Sequence, residues 1–214
     1  IARTGALPVI LGGDHFITGP LAQGFGDAVA EGCGRSKKVG YIQFSSQLDL
    51  GVEDPVWGKV WRGATARRIM DDGAVDAPNM VWVGVNGYIR EEQWVVARER
   101  GLNVFTLDDV RREGIVAIAE RAAELAGDGC DSIYLSVDFD VLDGGYSSMT
   151  GAPSFDGLKN VDLLKAIDVL RRTKVGAMDV VGLNPTVDLV GIAGQNLAQW
   201  LVQRFISEKV LAWA

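Results

Sequence analysis

The residues of this chain that could do chemistry sit in a few short stretches. The most telling is Ser136-Val137-Asp138-Phe139-Asp140-Val141-Leu142-Asp143. Asp138 and Asp140 are two residues apart, a spacing that on a strand turns both side chains to one face. Neighbouring carboxylates repel each other, and burying them is costly unless a cation or hydrogen-bond donors compensate. A second stretch, Gly12-Gly13-Asp14-His15, carries the only histidine of the chain. A third, Gln43-Phe44-Ser45-Ser46-Gln47-Leu48-Asp49, adds an acid beside hydroxyl and amide side chains. Carboxylates together with an imidazole are a donor set suited to a divalent cation. For Asp138 and Asp140 taken by themselves, a strand end frayed into solvent is the plain alternative.

These stretches follow apolar runs that read as strands, and strands and helices alternate along the whole chain. The expected strands are Leu7–Leu11, Val39–Phe44, Met80–Val85, Val104–Leu107, Ser132–Val137 and Ala177–Val181. The expected helices are Ile17–Val29, Ala64–Met70, Glu91–Arg100, Ile115–Leu125, Val161–Leu170 and Ile192–Ile206. A glycine- and tryptophan-bearing loop spans Gly51 to Trp61, and a Gly/Ser-rich loop spans Gly144 to Gly157. This alternation predicts an α/β fold, a three-layer αβα arrangement with a mostly parallel sheet, in one domain over 1–214. In such sheets ligands collect beyond the carboxyl ends of the strands. His15, Asp49, Asp138, Asp140 and the run Gly182-Leu183-Asn184-Pro185 all follow strands, so they are expected on one rim.

Composition narrows the classes. With 28 acidic and 21 basic residues the net charge is −7, which disfavours nucleic-acid and anionic-membrane partners. No apolar run is long enough to span a bilayer and no signal peptide is visible. The two cysteines, Cys33 and Cys130, form neither a metal motif nor a disulfide framework, so a reducing, cytoplasmic setting is expected. The chain opens at Ile1 almost directly into a strand, and a preceding segment is expected to be missing from it.

Taken in order, Gly12-Gly13-Asp14-His15, a strand leading to Asp49, and Ser136 through Asp143 resemble the motifs of the ureohydrolases, the arginases and agmatinases. Arg62-Gly63-Ala64-Thr65 and Met178-Asp179-Val180-Val181-Gly182-Leu183-Asn184-Pro185 extend the likeness over essentially the whole chain. The resemblance implies the arginase-like fold and hydrolysis of a guanidino group to urea and an amine. It also implies two divalent metals, manganese or nickel, bridged by a hydroxide. Family members carry a further segment ahead of the first motif and usually assemble as trimers or hexamers. The implied metal ligands that survive here are His15, Asp49, Asp138 and Asp140, with Trp61 and Asn184 expected in the substrate pocket.

The departures are as informative. Ser45 stands where the resemblance expects a bridging aspartate, and Gln47 where it expects a ligand histidine. Gly182 replaces a glutamate that holds the guanidinium, Trp61 a histidine, and Gly144 a proline. A neutral hydroxyl does not bridge two cations as a carboxylate does, and an amide oxygen is a weak ligand in place of imidazole. With a single histidine, no other imidazole is at hand. The expected cofactor is therefore none, or one divalent ion (Mn or Ni), with the acids otherwise held by Ser45, Ser46, Gln47 or a basic group.

Three readings follow. The leading one is a catalytically inactive or impaired subunit that assembles, as a homo- or hetero-oligomer, with an active relative carrying a dinuclear Mn or Ni site. It is similar in kind to the degraded partner of the heteromeric, nickel-dependent metformin hydrolase, which acts on a biguanide. The others are a weak one-metal amidinohydrolase and a non-catalytic ligand-binding protein. Trp57 and Trp61 are expected to pack or meet a neighbouring subunit. Arg62, Arg67 and Arg68 are expected on a solvated helix face or an interface edge, and Asp179 and Asp188 as caps or supporting groups.

Overall fold

The computed structural model describes residues 1–33, 38–146, 149–188 and 192–211. Six strands form one parallel sheet: β1 (Val9–Leu11), β2 (Val39–Phe44), β3 (Met80–Val85), β4 (Asn103–Thr106), β5 (Ser132–Asp138) and β6 (Val175–Val181). Their order across the sheet is β1-β6-β5-β2-β3-β4. From β2 the chain builds outward through β3 and β4. It then returns to the other side of β2 for β5 and β6. The β2/β5 boundary is therefore the topological switch point, where the carboxyl ends of the strands open a crevice.

Alternation of side chains along the strands feeds two apolar layers. On one face Ile42, Phe44, Val81, Val83, Leu135 and Val137 pack with α4 (Leu107–Glu113), α5 (Ile115–Gly127), α6 (Asn160–Leu170) and α7 (Ala193–Leu211). On the other, Tyr41, Met80, Trp82 and Tyr134 pack with α1 (Thr18–Cys33), α2 (Thr65–Asp71) and α3 (Glu91–Arg100). These strand residues are essentially fully buried. Each large apolar side chain removed from water in this way contributes about 1.5–3 kcal/mol. The expected three-layer arrangement is present, and each expected strand and helix has its counterpart.

Two local expectations need correction. Leu107 opens α4 and does not end the preceding strand. The Thr106 hydroxyl accepts from the Asp109 N–H while the Asp109 carboxylate accepts from the Thr106 N–H, a reciprocal cap that starts a helix there. The second concerns Asp138 and Asp140, which do not share a face by strand pleat. Asp138 ends β5 and Asp140 lies in a 3-10 turn, Phe139–Val141, whose start is capped by the Asp138 carboxylate accepting from the Asp140 N–H at 2.9 Å. In the Gly/Ser-rich loop, positions 147 and 148 lie outside the described residues.

Candidate functional site

The site begins where β1 runs out. After Gly12-Gly13, the Asp14 side chain accepts from the Phe16 N–H at 2.8 Å and starts the 3-10 turn His15–Ile17. This turns the His15 ring inward, where it is buried. Its Nδ1 lies 3.1 Å from Asp49 Oδ2 and 3.1 Å from Asp138 Oδ2. Its Nε2 lies 3.1 Å from Ser136 Oγ, whose hydroxyl donates to Asp179 at 2.7 Å. With that hydroxyl committed, Nε2 is the donor, and Nδ1 facing two carboxylates is a donor as well. Burial opposes the imidazolium, but hydrogen bonds donated to Asp138 and Asp49 outweigh it and hold His15 well above its ordinary value.

Asp49 is reached through a backbone with φ 52, a left-handed conformation uncommon for a non-glycine residue. The Gln43 amide donates to its Oδ2 at 2.9 Å, and the Tyr41 hydroxyl holds the Gln43 oxygen at 2.8 Å. Asp140 is held from the adjacent loop. It accepts from the Ser46 N–H at 2.9 Å, the Ser46 hydroxyl at 2.8 Å and the Ser45 hydroxyl at 3.3 Å. Burial and then the Asp138 and Asp49 charges push its carboxyl well above the usual range, against the Ser46 bonds. Beneath the site, the fully buried Asp179 accepts from Thr18 at 2.8 Å, Tyr134 at 2.7 Å and Ser136 at 2.7 Å. Burial raises its carboxyl also.

His15, Gln47, Asp49, Trp61, Asp138, Asp140, Gly182 and Asn184 line one cavity of about 550 Å³. Ser45 sits behind it, bonded to Asp140. The sequence-predicted residues are thus gathered in one place. Arg62, expected on a solvated face, also lines the cavity, while Arg67 and Arg68 make exposed pairs with Asp71 and Asp72 as expected. Asp188 accepts from the Gly194 and Gln195 N–H groups and caps α7. Sequence reasoning did not single out Thr18, Gln93 or Tyr134, and gave Gln43 and Ser136 no role beyond membership of their stretches. Thr18, Tyr134 and Ser136 converge on Asp179, the only signal being a buried acid on a strand that needs donors.

The donors do not fit a two-metal centre. Between Asp49 and Asp140, where a second cation needs a shared carboxylate and an imidazole, the chain offers the Ser45 hydroxyl and the Gln47 amide. His15 lies within hydrogen-bond distance of Asp49 and Asp138, and Ser45 and Ser46 donate to Asp140. Among the described residues, no group of three or more His, Cys, Asp or Glu side chains is placed to hold a metal ion. What the arrangement offers is a cavity with an acidic floor, the His15 proton bridging two of its acids, and amide, indole and guanidinium groups among its walls.

Comparison with known proteins gives the same frame. The model of the arginase family matches residues 1–207. The chain is 30% identical over 202 residues to a mitochondrial agmatinase of Gallus gallus, covering 92% of this chain and 56% of that protein. It is 32% identical over 193 residues to a mitochondrial guanidino acid hydrolase of Rattus norvegicus, covering 89% of this chain and 52% of that one. The chain therefore spans just over half the length of these relatives. Among solved structures, Trypanosoma cruzi formiminoglutamase with Mn2+ shares the fold with a TM-score of 0.85 at 22% identity, covering 97% of this chain and 68% of that one.

Proposed function

This chain belongs to the arginase family, and on that premise we propose that it is a subunit with an incomplete metal centre. In this reading it does not hydrolyse a guanidino compound by itself. It assembles with a catalytically complete relative that carries a dinuclear Mn or Ni site. The reaction of the assembly is hydrolysis of a guanidino or biguanide compound to urea, or a urea derivative, and an amine. The relatives named as agmatinase and guanidino acid hydrolase support that substrate class.

One observation carries the reading. Asp140, one of the metal ligands the resemblance implies, has its carboxylate oxygens occupied by three donors from Ser45 and Ser46, and Ser45 stands where the resemblance expects the bridging aspartate. The neighbouring positions supply no replacement anion or imidazole. A hydroxide held between two cations, the nucleophile of this chemistry, needs both cations close together. Loss of Glu at the Gly182 position would also remove a partner for the substrate cation. A one-metal hydrolase is the second reading, favoured by the four donors His15, Asp49, Asp138 and Asp140 lining one cavity.

The test is to purify the full-length protein alone and co-expressed with a complete family member, then to assay urea release from guanidino and biguanide compounds. The expected result is release by the co-purified complex and none by this protein alone. Turnover by the isolated protein, or failure to co-purify with any complete relative, would overturn the proposal.

A further inference from the structure

Arg62 stands apart from the other arginines of its segment. Arg67 and Arg68 are neutralised by Asp71 and Asp72, whereas Arg62 makes no ion pair or hydrogen bond among the described residues. It is exposed, and among the described residues it is the only lysine or arginine lining the site cavity. A second cavity of about 560 Å³, which reaches outward to Trp57 and Val60, shares Asp14, Trp61 and Arg62 with the first. Arg62 is therefore at the passage between the site and the outer groove.

The segment that carries this charge is tied to the stretch that carries Asp49. Arg62 opens the 3-10 turn Arg62–Ala64. The Gly63 carbonyl accepts from the Gly51 N–H at 2.8 Å, and the Asp49 carbonyl accepts from the Arg67 N–H at 3.1 Å. The Trp61 ring closes against both glycines: a Cβ built at Gly51 would lie 2.9 Å from it, and one at Gly63 2.4 Å. The backbone of Arg62 thus has a set place relative to Asp49, while its side chain is free to meet a ligand. At the other end of the cavity, Gln43 and His15 both meet Oδ2 of Asp49. Its Oδ1 is left without a partner among the described residues. One end of the cavity offers a negatively charged acceptor, and the passage offers a positively charged donor.

We propose that the cavity selects guanidino compounds that carry a carboxylate at their far end, and that Arg62 is the residue that binds it. A ligand guanidinium is attracted to the acids of the floor whatever follows it in the molecule. Selection is therefore made at the far end. A free arginine there repels a ligand ammonium or a second guanidinium, and it offers a carboxylate two parallel hydrogen bonds. A zwitterionic guanidino acid meets both ends with opposite charge, whereas a guanidino amine meets Arg62 with like charge. The inference rests on the guanidino substrate class proposed above and narrows it. It holds whether or not this subunit turns the ligand over.

The test is titration calorimetry of the full-length protein with 4-guanidinobutyrate and with agmatine, which present the same cation and differ in the charge at the far end. The acid is expected to bind about 10-fold tighter or more, the scale of one hydrogen-bonded charge pair. Arg62→Ala should lose most of that preference. Arg62→Glu should invert it, so that agmatine binds the tighter, a reversal that a merely structural role would not produce. Because Arg62 is exposed and makes no bond within the protein, both variants are expected to keep the wild-type thermal midpoint. Equal binding of the two ligands, no binding of either, or a preference unchanged in Arg62→Ala or not inverted in Arg62→Glu would overturn the proposal. None of these outcomes decides assembly with a complete relative, which is read separately from co-purification and urea release.

Discussion

Gly182 stands where the family resemblance expects a glutamate, and its backbone shows what reverting it would meet. The residue takes φ 71, and a Cβ built there would lie 2.3 Å from Asp138 Oδ1. Any side chain therefore collides with a site carboxylate and also strains the backbone. Gly182→Ala is expected to destabilise the fold by roughly 1–3 kcal/mol, read as a lower urea midpoint with an unchanged slope. An unchanged midpoint would mean that Asp138 moves freely and that its position is not fixed by packing. At this scale the acids were legible in the sequence because their motifs are short and ordered. The donors that hold them were not. Thr18 and Asp179 are 161 positions apart, and Ser46 and Asp140 are 94 apart. Only folding brings such pairs together, and serine, threonine and tyrosine carry no spacing that marks them.

Among the elements, the loop that follows the Asp138/Asp140 turn is organised by one carboxylate. Asp143 accepts from the backbone N–H groups of Gly145 at 2.8 Å, Asp156 at 2.6 Å and Gly157 at 3.3 Å, so it clamps both ends of the loop. The Gly145 bond first, and the other two with it, hold its carboxyl below the usual range. A depressed folded value means that the clamp is fully present above the unfolded value of about 3.9 and is lost as pH falls through the folded one. Asp143 is partly buried and its three bonds all lie within this loop, so the effect is read at the loop. Amide shifts of Gly145, Asp156 and Gly157, followed by NMR down to about pH 2, should move together with an inflection below the ordinary aspartate value. Asp143→Asn should abolish that inflection, and an inflection at or above the ordinary value would contradict the clamp. The long periodic elements could be read from sequence to within a few residues. The start of α4 was missed because its signal is a pair of side-chain caps at Thr106 and Asp109, which outweighed the apolar run leading into it.

Across the whole molecule, alternating strands and helices sufficed to predict a layered αβα fold, but not the order β1-β6-β5-β2-β3-β4. That order is what places Asp49 and Ser45, after β2, beside Asp138 and Asp140, after β5. The fold is that of the arginase family, and at this rim it presents Ser45 and Gln47 beside the acids. Among the described residues, no helix is long and apolar enough to cross a membrane. The central claim is that the changes at Ser45 and Gln47 leave the centre unable to hold two cations. Its most direct test is elemental analysis of the protein after loading with Mn2+ and gel filtration, beside the double variant Ser45→Asp/Gln47→His. The account predicts at most about one manganese per wild-type chain and a gain of a second in the double variant, as the restored carboxylate and imidazole complete the set. Two manganese ions per wild-type chain would contradict it.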